Sequence, residues 1–553
     1  MKGRANGKTA YIIGAGLSGL SAAFFLLNNE GMKGSSIHIF ENEQGKSYQS
    51  RFILYPGGVP SYFDDSFWKM MAEIPSLENS DNSILDEFHN ANPVSEKTDN
   101  SEYSLTSSAW RELLTLITEK DSDLKGKSIA SLLSSAVTDT SFFRFITAFS
   151  GLRVDDSALE LKNLIKHYGE DISSLFDYSV FKFPKYSPFE SIVEPLISYL
   201  KEQSVIFENG TTVEDVRFGC RGKKKYATSI TVETDEIKAV IGLEEDDLVF
   251  ITLANRFENV SYGSSSKAAK PDWELKKGSS FALWKRIAEK DMTFGNPEML
   301  FKTDARPYLY TQIKTKSERV ISLIEKKTGI NPYCGKKVTS GALFESESNW
   351  GINWFVPSQP CCKKQDGDEV LGFLYGVTPE ERGNYIKKTM YECTGRDIAN
   401  EWLFHMGAGD DIKELSTLCD CTPITYPFFY GALLAGRELA IPEVHREEYG
   451  NFAFLGEYAA LEGISTLSVE GQVKEAEFAV GSLLEKGYRQ KYFDNFSLSS
   501  LLSLRQYLLS GQKLDGRTMN LKERTLCKRL LKALSGTDFE KLFEEYKVID
   551  KQT

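Results

Sequence analysis

Disulfide and metal-binding patterns are missing from this sequence. Its 553 residues include only five histidines and eight cysteines. The cysteines (Cys220, Cys334, Cys361, Cys362, Cys393, Cys419, Cys421 and Cys527) show no Cys-x-x-Cys spacing, so neither a disulfide framework nor a zinc site is indicated. Cys361-Cys362 and Cys419-Asp420-Cys421 could be redox or metal elements, but buried or incidental thiols are the simpler reading. No two histidines stand at metal-ligand spacing on a helix. Excess positive charge is missing too. A net charge of -12 disfavours a general nucleic-acid binder, and no nucleic-acid partner is expected. There is no internal repeat, no low-complexity tract and only one long apolar run. That run, Tyr11–Leu27 behind the basic Met1–Lys8, imitates a secretory signal peptide. Its regularly placed glycines, the lack of a small-residue cleavage site and the immediate return to a strand–acid pattern argue against one. No other segment approaches the length that spans a bilayer. A soluble, cytoplasmic protein is expected.

What is present is concentrated in Ala10–Glu41. Tyr11-Ile12-Ile13 suits a buried parallel strand, and Gly14-Ala15-Gly16-Leu17-Ser18-Gly19 suits the turn that follows it. Such glycines permit a tight turn, close approach of the backbone to a pyrophosphate, and close helix–strand packing. The small and apolar Leu20–Leu27 continues as a helix whose N-terminal amides and dipole point at the phosphates. Ile37–Phe40 forms a second strand ending in Glu41, placed to accept hydrogen bonds from a ribose diol. Glycine spacing alone is a weak signal; strand, turn, helix, strand and terminal acid together predict dinucleotide binding.

Beyond this unit, Ser47–Ser101 reads as an excursion and Ser128–Gly169 as a helical tract. Ile192–Lys201 reads as an amphipathic helix, followed by strands at Val205–Phe207 and Thr212–Val216, a return to the nucleotide fold. Ile230–Thr234 and Lys238–Ile241 alternate like strands, and Asp246–Thr252 suits a central parallel strand. A second, aromatic-rich excursion runs from Ser261 to about Leu434 and suggests a substrate lobe. Phe452–Gly456 then reads as a buried strand and Ser465–Leu484 as a helix entered through glycine. The expected fold is α/β: a Rossmann-like fold with an inserted α+β substrate lobe and a helical C-terminal region. Its expected division is a discontinuous nucleotide lobe (1–90, 200–260 and 435–483), a substrate lobe (91–199 and 261–434) and the C-terminal region 484–553. In that last region the basic stretch Arg517–Lys532 offers contact with a partner or a membrane surface, although a solvated face on a packing helix is the plainer reading.

Dispersed blocks along nearly the whole chain resemble the oleate hydratase, or myosin-cross-reactive antigen, family. They include Ile74-Pro75-Ser76-Leu77-Glu78, Leu85-Asp86-Glu87-Phe88, Phe181–Tyr186, Asp246–Thr252, Leu374-Tyr375-Gly376, Gly383–Lys388, Glu392–Gly395, Glu401–His405 and Asn451–Gly456. The resemblance implies a flavoprotein that binds FAD and adds water to a cis double bond of an unsaturated fatty acid, with no net redox change of the flavin. It also implies a homodimer. The cofactor-binding set expected from spacing and resemblance is Gly14, Ala15, Gly16, Leu17, Ser18, Gly19, Glu41, Gly57, Gly58, Val213, Gly456, Glu457, Glu470 and Gly471.

Protonating an unactivated alkene demands a positioned acid, a base that orients water, and an environment that stabilises positive charge. The family supplies a glutamate in an Arg-Gly-Gly-Arg-Glu-Met loop and a tyrosine on a helix. Here the loop reads Leu54–Tyr62, with Val59 at the second arginine and Pro60 or Ser61 at the glutamate. The tyrosine's helix aligns with Ser157–Leu164, which puts Leu164 at its position. Neither Pro60 nor Leu164 transfers a proton. The family's Gly-Gly-Ser-Leu-Asp-Gly segment is missing from Asn42–Ser50, and Leu253-Ala254-Asn255 stands where the family has an Asn-Gly turn. Tyr62, Asp64 and Asp65 lie just after the altered loop and are the candidate substitutes. Three readings follow: a hydratase using substitute groups, expected to be weak; a catalytically silent relative that keeps FAD or fatty-acid binding; and a redox flavoenzyme of the amine-oxidase-like group, supported by the nucleotide fold alone.

Overall fold

The computed structural model describes residues 7–42, 58–60, 65–92, 103, 105–168, 175–176, 178–276, 278–301, 306–336, 338–339 and 341–484. The chain opens with a strand (β1, Ala10–Ile13), a helix (α1, Leu17–Asn28) and a second strand (β2, Ile37–Glu41). All of α1 from Leu17 to Leu26 is buried, as an almost wholly apolar helix requires. A short bridge then joins β3 (Val59–Pro60) to β4 (Phe181–Lys182). Among the described residues between these two strands lie the helices α2 (Asp65–Glu73), α3 (Ile84–Ala91), α4 (Ser107–Thr118), α5 (Ser141–Ser150) and α6 (Ala158–Tyr168), with one-turn helices at Asp121–Leu124 and Ser135–Thr138. The expected helical tract 128–169 is therefore not continuous. Ser134 and Thr140 each cap a new helix start, and Gly151 ends α5 with a left-handed φ of 80°.

After β4, a π-helical turn at Phe189–Val193 leads into α7 (Glu194–Glu202), and β5 (Ile206–Asn209) follows. Strands β6 (Thr211–Arg221), β7 (Lys224–Thr234) and β8 (Ile237–Gly242) make an antiparallel meander. Then comes β9 (Leu248–Thr252). Asp247 stays outside it because its carboxylate accepts the Glu244 amide at 2.8 Å, closing a turn. The second excursion supplies β10 (Ser261–Tyr262), α8 (Ser280–Ala288), β11 (Tyr308–Thr315), α9 (Glu318–Thr328), β12 (Leu343–Phe344), β13 (Ile352–Phe355), β14 (Val370–Gly376), α10 (Gly395–His405) and β15 (Cys419–Tyr426). Strand β16 (Phe452–Leu455) and helix α11 (Val469–Leu484) close the described chain.

Five strands form one parallel sheet in the order β16-β9-β1-β2-β5, with Ile12 between Ile39 and Phe250. That order, with the glycine turn after the central β1, is the Rossmann-like arrangement. A second sheet of six antiparallel strands runs β10-β15-β11-β14-β13-β12. It is covered on both faces. Tyr310, Leu371 and Phe373 point into a core shared with α4, α5 and α6, and Leu309, Ile313 and Leu374 into one shared with α9 and α10. The segment of α8 and Phe294–Leu300 lies inside the aromatic excursion in sequence, yet it packs in the core of the parallel sheet, where the Trp284 indole donates to the Phe294 carbonyl at 2.8 Å. Among the described residues no helix is long and apolar enough to cross a membrane, and no cluster of His, Cys, Asp or Glu could hold a metal ion. Among the described residues no two cysteines form a disulfide.

Candidate functional site

The carboxyl ends of β1, β9 and β16 converge on Thr252. A Cβ on Gly14 would lie 3.1 Å from its Cβ, and one on Gly456 3.0 Å from its Cγ2. Both glycines adopt a φ of +96°, which side-chain-bearing residues rarely reach. At Gly19 an added Cβ would fall 2.2 Å from the Gly14 carbonyl, so this glycine is where helix α1 crosses the turn. Gly16 differs, for no atom of the described residues lies within 4 Å of where its Cβ would be. It is the N-cap of α1, and no side chain caps that end. First-turn amides have no intrahelical acceptor, so a helix start open on this side suits the pyrophosphate of a dinucleotide. The buried Thr252 hydroxyl beside Gly14 has no hydrogen-bond partner among the described residues.

Around this turn, Leu17 and Ser18 are buried, and the Glu41 carboxylate accepts from the Ala15 amide at 3.2 Å. Glu475 of α11, fully buried, accepts from the Gly456 amide at 2.6 Å and from the Ser18 hydroxyl at 3.4 Å. Burial raises its carboxyl well above the ordinary range. Val213 is buried on β6 in the same core but lines no part of the cavity described next.

Beside the N-terminus of α11 lies a cavity of about 300 Å³. Its apolar wall comes from Phe149, Leu152, Leu164, Phe181, Phe429 and Leu467. Gly58 forms part of the floor, and a Cβ there would meet the Phe183 ring at 2.9 Å. Polar groups enter from four directions: Glu160 and His167 on α6, Tyr178 before β4, Arg256 after β9, and Glu470 on α11. His167 Nε2 pairs with Glu470 Oε1, both side chains being almost completely buried. The Arg256 guanidinium bonds the Glu457 carboxylate at 2.9 Å and stands 4.5 Å from the Phe429 ring centre. Glu160 is held by Arg437 at 2.5 Å and by the Ser465 hydroxyl at 3.1 Å. Burial raises the Glu160 carboxyl, with Arg437 opposing the shift. Tyr178 is half-buried in a left-handed conformation with φ 58°, and loss of solvent around its hydroxyl pushes that group up to about 12 against an opposing hydrogen bond from the Ala342 main chain.

The expected residues thus divide. Gly14 to Gly19, Glu41, Gly456 and Glu457 gather at the ends of the parallel strands, and Gly58, Leu164 and Glu470 line the cavity. Gly471 opens α11 so tightly that an added Cβ would lie 2.0 Å from the Ser465 carbonyl. Gly57, Tyr62 and Asp64 lie outside the described residues, as do the side chains of Pro60 and Asp65 and the region 485–553. The sequence gives no local signal for His167, Tyr178, Glu160 or Arg256. The nearest to one is the position of His167, three residues after Leu164 and so on a neighbouring helix face.

The geometry can be set beside known proteins. The chain is 29% identical over 531 residues to the oleate hydratase of Streptococcus pyogenes serotype M49 (strain NZ131), covering 91% of this chain and 90% of that protein. It is 23% identical over 365 residues to the linoleate hydratase of Lactiplantibacillus plantarum, covering 62% of each. Among solved structures, an oxidoreductase from Methanosarcina mazei matches at a TM-score of 0.47 and 15% identity, over 86% of this chain and 100% of that one. The MCRA family model matches residues 7–480. The chain therefore belongs to the MCRA family, the one its motifs resemble.

Proposed function

We propose that this protein is a fatty-acid hydratase that adds water to the cis double bond of an unsaturated fatty acid and binds FAD. The observation that carries the reading is the cavity: an apolar wall for an acyl chain, and ionisable groups brought to it at the carboxyl end of a nucleotide-binding sheet. Ligands of such sheets bind in the crevice at the strand ends, in pockets of about 300–1,000 Å³ with few convergent polar groups. Membership of a family with oleate and linoleate hydratases among its relatives supports the same chemistry.

FAD would rest its pyrophosphate on the turn Gly14–Gly19 and the open start of α1, with Glu41 turned to a ribose and Gly456 and Glu457 beside it. When bound it supplies shape and electrostatic field rather than electrons, since hydration involves no net oxidation. The chain's own residues then hold the alkene in the apolar wall, keep bulk water out, and hold one water near the polar groups. Tyr62, Asp64 and Asp65, which follow the altered loop motif in sequence, remain candidates for proton handling.

The test is direct. Purified protein is titrated with FAD and followed by its absorption spectrum, then incubated with oleate, and the lipid is weighed by mass spectrometry. A flavin spectrum and a product heavier by one water are expected; oleate recovered unchanged, with no other unsaturated acid converted, would remove the reading. A second reading keeps one specific support: Leu164 lines the cavity where the resemblance expects a tyrosine. A silent relative that binds FAD or a fatty acid without converting it would give the first result and not the second.

A further inference from the structure

We propose that Tyr178 is the proton donor and the His167–Glu470 pair the water-activating base of this hydration, an inference that rests on the proposed activity. No motif points to Tyr178 or His167, and Glu470 is expected from the sequence only as a cofactor-binding residue; the fold brings all three to one cavity from three separate segments.

Tyr178 is held there by several independent means. Its φ of 58° is an outlier for a ring-bearing residue, a conformation that persists only where the surroundings enforce it. Gly341 makes room for the ring, because a Cβ there would lie 2.1 Å from it. The rings of Phe145, Phe149 and Phe181 close around it at 5.9 Å, 6.2 Å and 6.1 Å.

The pair has a different origin. His167 stands in the last turn of α6 and Glu470 in the first turn of α11. The two helix ends favour positive charge at His167 and negative charge at Glu470, so a proton arriving on the pair is stabilised there. Glu160 and Arg256 face the pair from α6 itself and from the segment after β9, and each is committed to its own partner, Arg437 and Glu457. Tyr168 and Tyr178 are the other titratable groups lining the cavity.

In the reaction the alkene's π electrons take the proton from the Tyr178 oxygen, making a C–H bond and leaving positive charge on the neighbouring carbon. The oxygen of a held water donates an electron pair to that carbon and forms the C–O bond. The proton it sheds goes to the His167–Glu470 pair, which returns one to the Tyr178 oxygen through solvent. One water is added, and nothing is oxidised or reduced.

The experiment uses the full chain with FAD, oleate and ¹⁸O-water, following labelled hydroxy acid by mass spectrometry. Tyr178→Phe and Glu470→Gln are each expected to lower kcat by about 10²–10⁴-fold with KM little changed. His167→Asn should move the acid limb of the kcat–pH profile as well as lower kcat, which a purely structural role would not do. Wild-type protein that converts no unsaturated fatty acid overturns the proposed function and this inference together. Active wild type, with Tyr178→Phe and Glu470→Gln equally active, overturns this inference alone. The isosteric Glu470→Gln decides by itself where Tyr178→Phe does not give a folded protein.

Discussion

Gly16 and Gly19 sit three residues apart in one turn and answer to different physics. An added Cβ at Gly19 collides with the Gly14 carbonyl at 2.2 Å, whereas at Gly16 it meets no atom of the described residues within 4 Å. Gly19→Ala should therefore destabilise the flavin-free protein by about 1–3 kcal/mol, the usual cost of overpacking, seen as a lower thermal midpoint. Gly16→Val should melt with wild type and lose FAD affinity, because its side chain occupies the approach of the pyrophosphate. Unchanged FAD affinity in Gly16→Val would place the cofactor elsewhere. Glu475 gives a residue-scale test of a different kind. Burial raises its carboxyl in the folded state above the ordinary value of 4.5, so the native state binds the extra proton. The sign follows from linkage: its contribution is most favourable at low pH and is lost as pH rises above about 4.5 toward the raised folded value. Glu475→Gln keeps an oxygen for the Gly456 amide and carries no charge to desolvate. In urea titrations of flavin-free protein, its stability relative to wild type should grow from pH 4.5 to pH 8. A difference that does not change over that range would mean the buried carboxyl is not protonated as its surroundings require.

Helices α6 and α11 supply most of the cavity's polar wall, and α11 depends on one small residue to reach it. The start of α11 packs on Ser465, with room for Gly471 and nothing larger. Gly471→Ala should push that turn away and withdraw Glu470 from His167, so hydratase activity should fall while FAD binding, held at the other end of the site, persists. Loss of both together would mean the change reaches the parallel sheet. The same two helices mark how far the elements could be read from sequence. Strand β1, the glycine turn, α1 and β2 are legible because each is encoded locally, by an apolar run, by spacing and by a terminal acid. The opening of α11 through Glu470-Gly471 is legible for the same reason. By contrast, the antiparallel sheet is buried on both faces, so Leu309 and Tyr310 point opposite ways without a polar partner to show the alternation. The 128–169 tract reads as continuous because Ser134, Thr140 and Gly151 are punctuation only once their caps and left-handed backbone are seen. Still less visible is the meeting of His167 with Glu470, 303 residues apart, and the left-handed turn at Tyr178. Tertiary packing alone makes those pairings.

At the scale of the whole molecule the cofactor turn and the cavity are neighbouring sites on one frame, joined by α11 and by the Arg256–Glu457 contact across the ends of β9 and β16. The cavity draws its wall from α5, α6, β4, the segment after β9, residues 429–433 and α11, so an acyl chain bound there ties the helical layer to the parallel sheet. A ligand that binds only the folded state stabilises it by about 2.7 kcal/mol at one hundred times its dissociation constant. FAD and oleate should therefore each raise the thermal midpoint, and together they should raise it further. The glycine turn and the cavity have separate linings, which makes the two shifts separable by mutation. Gly16→Val should abolish the FAD shift and keep the oleate shift; Leu164→Trp, which fills the apolar wall, should do the reverse. If Gly16→Val removed both shifts, fatty-acid binding would depend on the flavin being present, and the cavity would be complete only in the loaded protein. If Leu164→Trp left the oleate shift intact, the acyl chain would bind somewhere other than this cavity.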